Sequence, residues 1–248
     1  ISPRTKVILP VHLYGQNADM AAIMDIARRH GLKVLEDCAQ STGSTTQGAK
    51  SGSFGDLAAF SFYPTKLLGA YGDGGMVVSS DEALDARLRS LRMYGMKGSY
   101  YAAEHGYNSR LDEVQAAILN VKLPLLDGWN DRRRVLADRY AAGLADTGII
   151  LPVEAAGNRH AWYVYVVRHA RRDALMAGLK EADIHVNISY PWPVHIMDGY
   201  RHLGYQAGDF PVSEAAAHEI FSLPMYPGLT DAMQDRVIDV LSHLAGTV

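Results

Sequence analysis

The run His30-Gly31-Leu32-Lys33-Val34-Leu35-Glu36-Asp37 decides the reading of the fold. Ahead of it, Met20, Ile23, Met24 and Ala27 recur at helical spacing between Ala18 and His30. His30-Gly31 then stops that helix with a cation in its last turn. Lys33 to Glu36 follows as a short strand, and the strand ends on a carboxylate, Asp37. Working outward, Lys6–Pro10 is a strand candidate in front, and Leu57–Tyr63 and Met76–Ser79 are two more behind. Strand, helix and strand in alternation, with nearly all-apolar strands, predict an α/β fold whose mostly parallel sheet is covered by helices.

Beyond Ser109 the pattern turns helical. Ser109 and Asp112 fit a Ser-x-x-Asp capping signature, and Leu111, Val114, Ile118 and Val121 make an apolar seam. Pro124 breaks that run, and a second helix, Leu126–Leu144, carries its arginines on an outer face. A smaller α+β portion comes next: a strand at Trp162–Val167, a helix at Arg172–Ala182, a strand at Ile184–Ile188 and a Pro-rich loop at Tyr190–His195. A last helix after Thr230 puts Met233, Val237, Val240, Leu241 and Leu244 on one face. The expected division is a large domain over 1–127 and a small C-terminal domain over 128–248.

Composition narrows the function. The 248 residues are 48% hydrophobic and 21% charged, with a formal net charge of -3. That balance offers no basic footprint for nucleic acid or an anionic membrane surface. No apolar run reaches the roughly 18 residues a membrane span needs. One cysteine, Cys38, forms no internal disulfide and suits a reducing cytoplasm; beside Asp37 it reads as a small buried hydrophobe. No Cys/His cluster has metal-ligand spacing, so no metal is expected. The glycines from Gly69 to Gly75 do not make G-x-G-x-x-G, and they lead into a strand where that fingerprint opens a helix. The chain opens at Ile1 without the charged and apolar regions of a signal peptide, and reads as if cut from within a longer protein.

The residues that carry chemistry are Lys66 and Asp37. Most lysines are solvated surface charges. Lys66, however, follows an apolar strand and precedes a glycine-rich turn, where an amine can face a cleft. Asp37 ends another strand, and ligands of open α/β sheets bind outside the carboxyl ends of strands. Pyridoxal phosphate uses this pair of residue types: a lysine amine for the aldehyde, and a carboxylate to keep the pyridine nitrogen protonated so that the ring accepts electrons. Once released by the substrate amine, the same lysine can act as the base that moves a proton. His12, after the first strand, reads as a packed strand-end histidine rather than a cleft residue.

Four runs, Glu36-Asp37-Cys38-Ala39-Gln40, Ser61-Phe62-Tyr63-Pro64-Thr65-Lys66, Gly72-Asp73-Gly74-Gly75 and Gly106-Tyr107-Asn108-Ser109-Arg110-Leu111, stand in this order. Together they resemble the nucleotide-sugar aminotransferases of the DegT/DnrJ/EryC/StrS family, which have the fold-type I architecture of pyridoxal-phosphate enzymes. The resemblance implies that Lys66 is the Schiff-base lysine, that Asp37 pairs with the pyridine nitrogen, and that Gln40 faces the ring hydroxyl. It gives Ser61 to the cofactor phosphate. Asn108 would reach the phosphate of the neighbouring subunit's cofactor, making a homodimer with a shared active site. Taken alone, Ser61 is an in-sheet hydroxyl and Asn108 a turn residue; the four ordered runs are what give them roles. The loop Tyr190-Pro191-Trp192-Pro193-Val194-His195 resembles the family's sugar-facing loop and offers Tyr190 and His195 to the substrate, although Ser189 stands where the family usually has His.

The implied reaction moves an amino group from glutamate to a nucleotide-linked keto-deoxyhexose, at carbon 3 of a dTDP-linked 3-keto-6-deoxyhexose. Carbon 4 of such a sugar is the alternative within the family, and a catalytically silent aminotransferase-like subunit is the alternative outside catalysis. A related dehydratase, with His in place of the lysine, is opposed by Lys66. Family members carry a further stretch of roughly 100 residues before the equivalent of Ile1, including a helix N-terminus that receives the phosphate. The resemblance therefore also leads us to expect weak cofactor binding and exposed apolar sheet surface in these 248 residues.

Overall fold

The computed structural model describes residues 1–247, which divide into two compact units. The first holds residues 1–130 and 154–163; the second holds 131–153 and 164–247.

In the first unit, β1 (Val7–Ile8), β2 (Lys33–Asp37), β5 (Leu57–Ser61) and β6 (Gly75–Val78) form one sheet in the order β1-β2-β5-β6, with β3 (Thr45–Thr46) and β4 (Ala49–Lys50) making a small hairpin between β2 and β5. The first two pairings are parallel, and β6 returns antiparallel to β5, so the sheet is mostly parallel as expected. The hairpin pairs with β7 (Asn158–Arg159). Helix α1 (Met20–His30) begins on Asp19, whose side chain accepts from the Ala22 N–H at 3.1 Å, and ends where Gly31 turns left-handed at φ 64°. Its apolar stripe places Met20 and Ala27 against Val34 of β2, with Ile8 and Phe54 packed around them. Helices α2 (Glu82–Leu91) and α3 (Glu113–Lys122) follow. The seam of α3 buries Leu119 against Phe62, Leu67, Leu68 and Ala70. Asp112 is the cap residue of α3 by position, yet its side chain makes no capping bond, and Ser109 lies three residues ahead of that cap. The Ser-x-x-Asp signature is therefore present without the capping box it predicts.

The second unit is built on β8 (Tyr165–Arg168) paired antiparallel with β9 (Ile220–Leu223). Helix α4 (Leu126–Gly143) leads into it, and α5 (Arg172–Glu181), α6 (Pro211–Glu219) and α7 (Asp231–Thr247) complete it. Tyr140, Leu144, Leu175, Leu179, Phe221 and Leu241 are fully buried there.

Three expectations change here. The arginines of α4 do not face outward as a set: Arg133 is buried and donates to the Met225 carbonyl, while Arg132 and Arg139 pair with Asp231 and Asp235 of α7. The strand expected at Ile184–Ile188 does not form: the segment meets β9 at a single bridge, Asn187 to Ser222. The inward face of α7 runs through Gln234, Val237 and Leu241, and Met233 is exposed. Gln234 takes the inner place because its amide N–H donates to the Leu136 carbonyl at 2.6 Å, which satisfies a polar group inside the core.

The sheet also leaves large apolar side chains in solvent. Val7, Leu9 and Val11 on the first strand's edge, and Met76 and Val77 on β6, are about half exposed. Among the described residues, no helix is long and apolar enough to cross a membrane.

Candidate active site

Asp37 is held by its backbone from both sides. Its N–H donates to the Pro10 carbonyl at 2.9 Å, and its own carbonyl accepts from the His12 N–H at 3.1 Å. On the other flank, the Cys38 N–H donates to the Ala59 carbonyl at 2.8 Å. Successive side chains on a strand point to opposite faces. The Glu36 side chain is accordingly buried, and Asp37 lines a depression of about 250 Å³ together with Leu9, Leu35, Glu36, Ala39, Ala59, Phe60 and Ser61. One Asp37 oxygen accepts from the Ala39 N–H at 3.0 Å; among the described residues the other takes no hydrogen bond. Ser61 ends β5 beside it, and its Oγ accepts from the Tyr63 N–H at 3.3 Å, leaving the hydroxyl proton to donate elsewhere.

Lys66 sits on the turn that leaves β5. The turn is tight: the Lys66 N–H donates to the Tyr63 carbonyl at 2.8 Å, and the Ala70 N–H donates back to the Phe62 carbonyl at 2.8 Å. Leu67 and Leu68, the next residues, are buried against α3, which anchors the turn immediately after the lysine. The half-buried Lys66 amine lies 4.8 Å from the centre of the Tyr163 ring, a cation over an aromatic face. Thr65 Oγ1 lies 3.4 Å from the Tyr163 hydroxyl.

The other predicted residues are placed differently. Gln40 is buried and its Oε1 accepts from the Tyr14 N–H at 2.6 Å, so this oxygen is directed to the backbone of the loop after β1. Asn108 is exposed, and its Oδ1 accepts from the Arg110 guanidinium at 2.9 Å. Tyr190 and His195 belong to the second unit. There His195 is nearly buried: its Nε2 meets Glu214 Oε1 at 2.9 Å and its ring packs edge-on to Phe210. Glu214 also accepts from the Gly208 and Phe210 N–H groups, and the His195 bond leads the contacts that hold its carboxyl below the usual range.

Tyr163 was not singled out from the sequence. It lies inside the strand expected at Trp162–Val167, but β8 begins only at Tyr165, and residues 154–163 return to the first unit. His12 is fully buried, as a packed strand-end histidine should be. His12, Glu36 and Cys38 bring ligand-type atoms within 4.8 Å of one another. The histidine Nε2 bonds Glu36 and its Nδ1 accepts from Ala18, while burial, followed by the Glu36 charge, pushes the Cys38 thiol up to about 12. The His12 and Glu36 side chains are thus committed to each other and to backbone N–H groups.

The chemistry of the donor set fits pyridoxal phosphate: an acceptor-only carboxylate with one oxygen unbonded among the described residues, a hydroxyl at the neighbouring strand end, and a lysine on the turn that follows.

The model of the DegT/DnrJ/EryC1/StrS aminotransferase family matches residues 1–242. The dTDP-3-amino-3,4,6-trideoxy-alpha-D-glucose transaminase of Micromonospora megalomicea subsp. nigra is 56% identical over 98% of the chain and 67% of that protein. The pleiotropic regulatory protein of Geobacillus stearothermophilus is 46% identical over 98% of the chain and 66% of that protein. Among solved structures, S. venezuelae DesV in complex with a ketimine intermediate superposes with a TM-score of 0.97 at 46% identity, covering all of this chain and 67% of that one. The chain thus spans about two thirds of the length of these relatives. With this match over residues 1–242, the chain belongs to the DegT/DnrJ/EryC1/StrS aminotransferase family.

Proposed function

We propose that this chain carries the cofactor-binding core of a pyridoxal-phosphate-dependent aminotransferase that moves an amino group from glutamate to carbon 3 of a dTDP-linked 3-keto-6-deoxyhexose. The observation that carries the reading is Lys66 on the turn after β5, with Asp37 and Ser61 at the ends of adjacent strands, in a member of an aminotransferase family. The names of the Micromonospora relative and of its 45%-identical Streptomyces venezuelae namesake support dTDP and carbon 3.

When bound, pyridoxal phosphate supplies the electron sink for removing the substrate's α-proton. Lys66 would bind the cofactor aldehyde covalently and then, released as a free amine, carry the proton. Asp37, through the oxygen that takes no hydrogen bond among the described residues, would hold the pyridine N–H. Ser61 would donate its hydroxyl to the phosphate, and Gln40 would stand near the ring hydroxyl with its amide group. Asn108 would serve the cofactor of a second copy in a homodimer, and Tyr190 and His195 would serve the sugar. The protein would work in the cytoplasm.

A second reading, a silent aminotransferase-like subunit, has one observation in its favour: the 46%-identical relative bears a regulatory name. A glutamate half-reaction separates the two. Addition of glutamate to the cofactor-loaded chain is expected to convert the yellow form to the pyridoxamine form in the native protein and not in Lys66→Ala. An unchanged spectrum with the native protein would favour the silent subunit.

A further inference from the structure

Directly behind Asp37 lies a buried ionic group that makes none of the contacts proposed for the cofactor. Glu36 is fully buried, and a carboxylate there is costly unless every lone pair is satisfied. It is satisfied four times: by His12 Nε2 at 2.9 Å, by the Gly52 N–H at 2.8 Å, by the Phe54 N–H at 2.8 Å and by the Gly55 N–H at 2.7 Å. His12 Nδ1 accepts the Ala18 N–H at 3.2 Å, so the ring is the tautomer with its proton on Nε2, and that proton goes to Glu36. His12 therefore grips two consecutive residues. Its ring holds the Glu36 side chain, and its backbone N–H holds the Asp37 carbonyl.

We infer that the buried His12–Glu36 pair is a positioning device for Asp37, fixing the strand-end peptide on one face so that the Asp37 carboxylate keeps its direction at the depression on the other. This rests on the assignment of Asp37 to the cofactor ring. The physical reason is the short tether. A peptide clamped on both edges, with its preceding side chain locked by four donors, leaves Asp37 little freedom beyond its own rotamers. Sites depend on such supporting contacts to stay within about half an ångström of working geometry. His12 and Glu36 are positioning residues, since the side chains of both are fully buried and bonded to each other.

The test uses the full chain loaded with pyridoxal phosphate, with His12→Leu, His12→Gln, Glu36→Gln and Asp37→Asn compared to the native protein. Three quantities are read: cofactor affinity by absorbance titration, the pH dependence of the bound cofactor's visible band, and the melting temperature without cofactor. His12→Leu should weaken affinity roughly tenfold, as loss of one buried charge-assisted partner does, and should move the pH profile toward that of Asp37→Asn. His12→Gln, which keeps an N–H for Glu36, should restore both. Should His12→Leu fail to fold, Glu36→Gln carries the same expectation. A lower melting temperature with native affinity and native pH profile in these variants, while Asp37→Asn is shifted, would overturn the positioning role alone. A native affinity and profile in Asp37→Asn would overturn the assignment of Asp37, and the inference with it.

Discussion

At the scale of single residues, the site separates groups that hold the backbone from groups that face the depression. Glu36 shows how the first kind responds to pH. Burial pushes its carboxyl up, but the bond from His12 and the backbone N–H groups of Gly55, Gly52 and Phe54 outweigh it, and the net direction is downward. A carboxylate depressed in the folded state stabilises the fold above its ordinary value, about 4.3, and that contribution is lost as pH falls through the folded value. The melting temperature of the native chain should therefore hold between pH 7 and the ordinary carboxylate range and fall below it. Glu36→Gln should start lower and lose part of that acid dependence. An identical acid slope in the variant would remove Glu36 from the account of acid stability.

At the scale of elements, the turn between β5 and β6 is the critical piece, because it presents Lys66. Its geometry leaves no room at Gly69, where a Cβ would run into the Pro64 carbonyl and come within 3.0 Å of that of Tyr63. Gly69→Ala should open the turn at a cost of about 1–3 kcal/mol, as overpacking typically does, and melting experiments should show it. Gly128 is the control: it is exposed inside α4 with nothing within 4 Å of an added Cβ. Gly128→Ala should instead stabilise by about 0.5–1 kcal/mol through helix propensity. The elements were legible in proportion to how local their cause is. Helix α1 was readable because its stripe and its Gly31 stop are both local, and β2 because it is a short strand ended by a carboxylate. The capping signature before α3 misled because Ser-x-x-Asp records residue types, while a capping bond needs the helix to begin at the Ser. The strand expected at Ile184–Ile188 reduces to one bridge to β9, because strand pairing depends on distant partners that sequence does not show. The contact between Lys66 and Tyr163 was invisible for the same reason: 97 positions separate them, and only the return of residues 154–163 to the first unit joins them.

At the scale of the whole molecule, the four ordered runs carried more than any single residue did. They led to a family match over residues 1–242 and to the placement of Asp37 and Ser61 at one depression. They carried less for the second unit, where His195 is tied to Glu214 and Phe210 in a way no local pattern suggested. The half-exposed Val7, Leu9, Val11, Met76 and Val77 agree with the expectation of an apolar sheet surface in these residues. The central claim is that Lys66 is the covalent anchor of pyridoxal phosphate, and borohydride reduction after incubation with the cofactor tests it most directly. Peptide mass mapping should then find a cofactor-sized adduct on Lys66 and none at that peptide in Lys66→Ala. An adduct spread over exposed lysines with none on Lys66, in a chain shown to be folded and saturated with cofactor, would contradict the account.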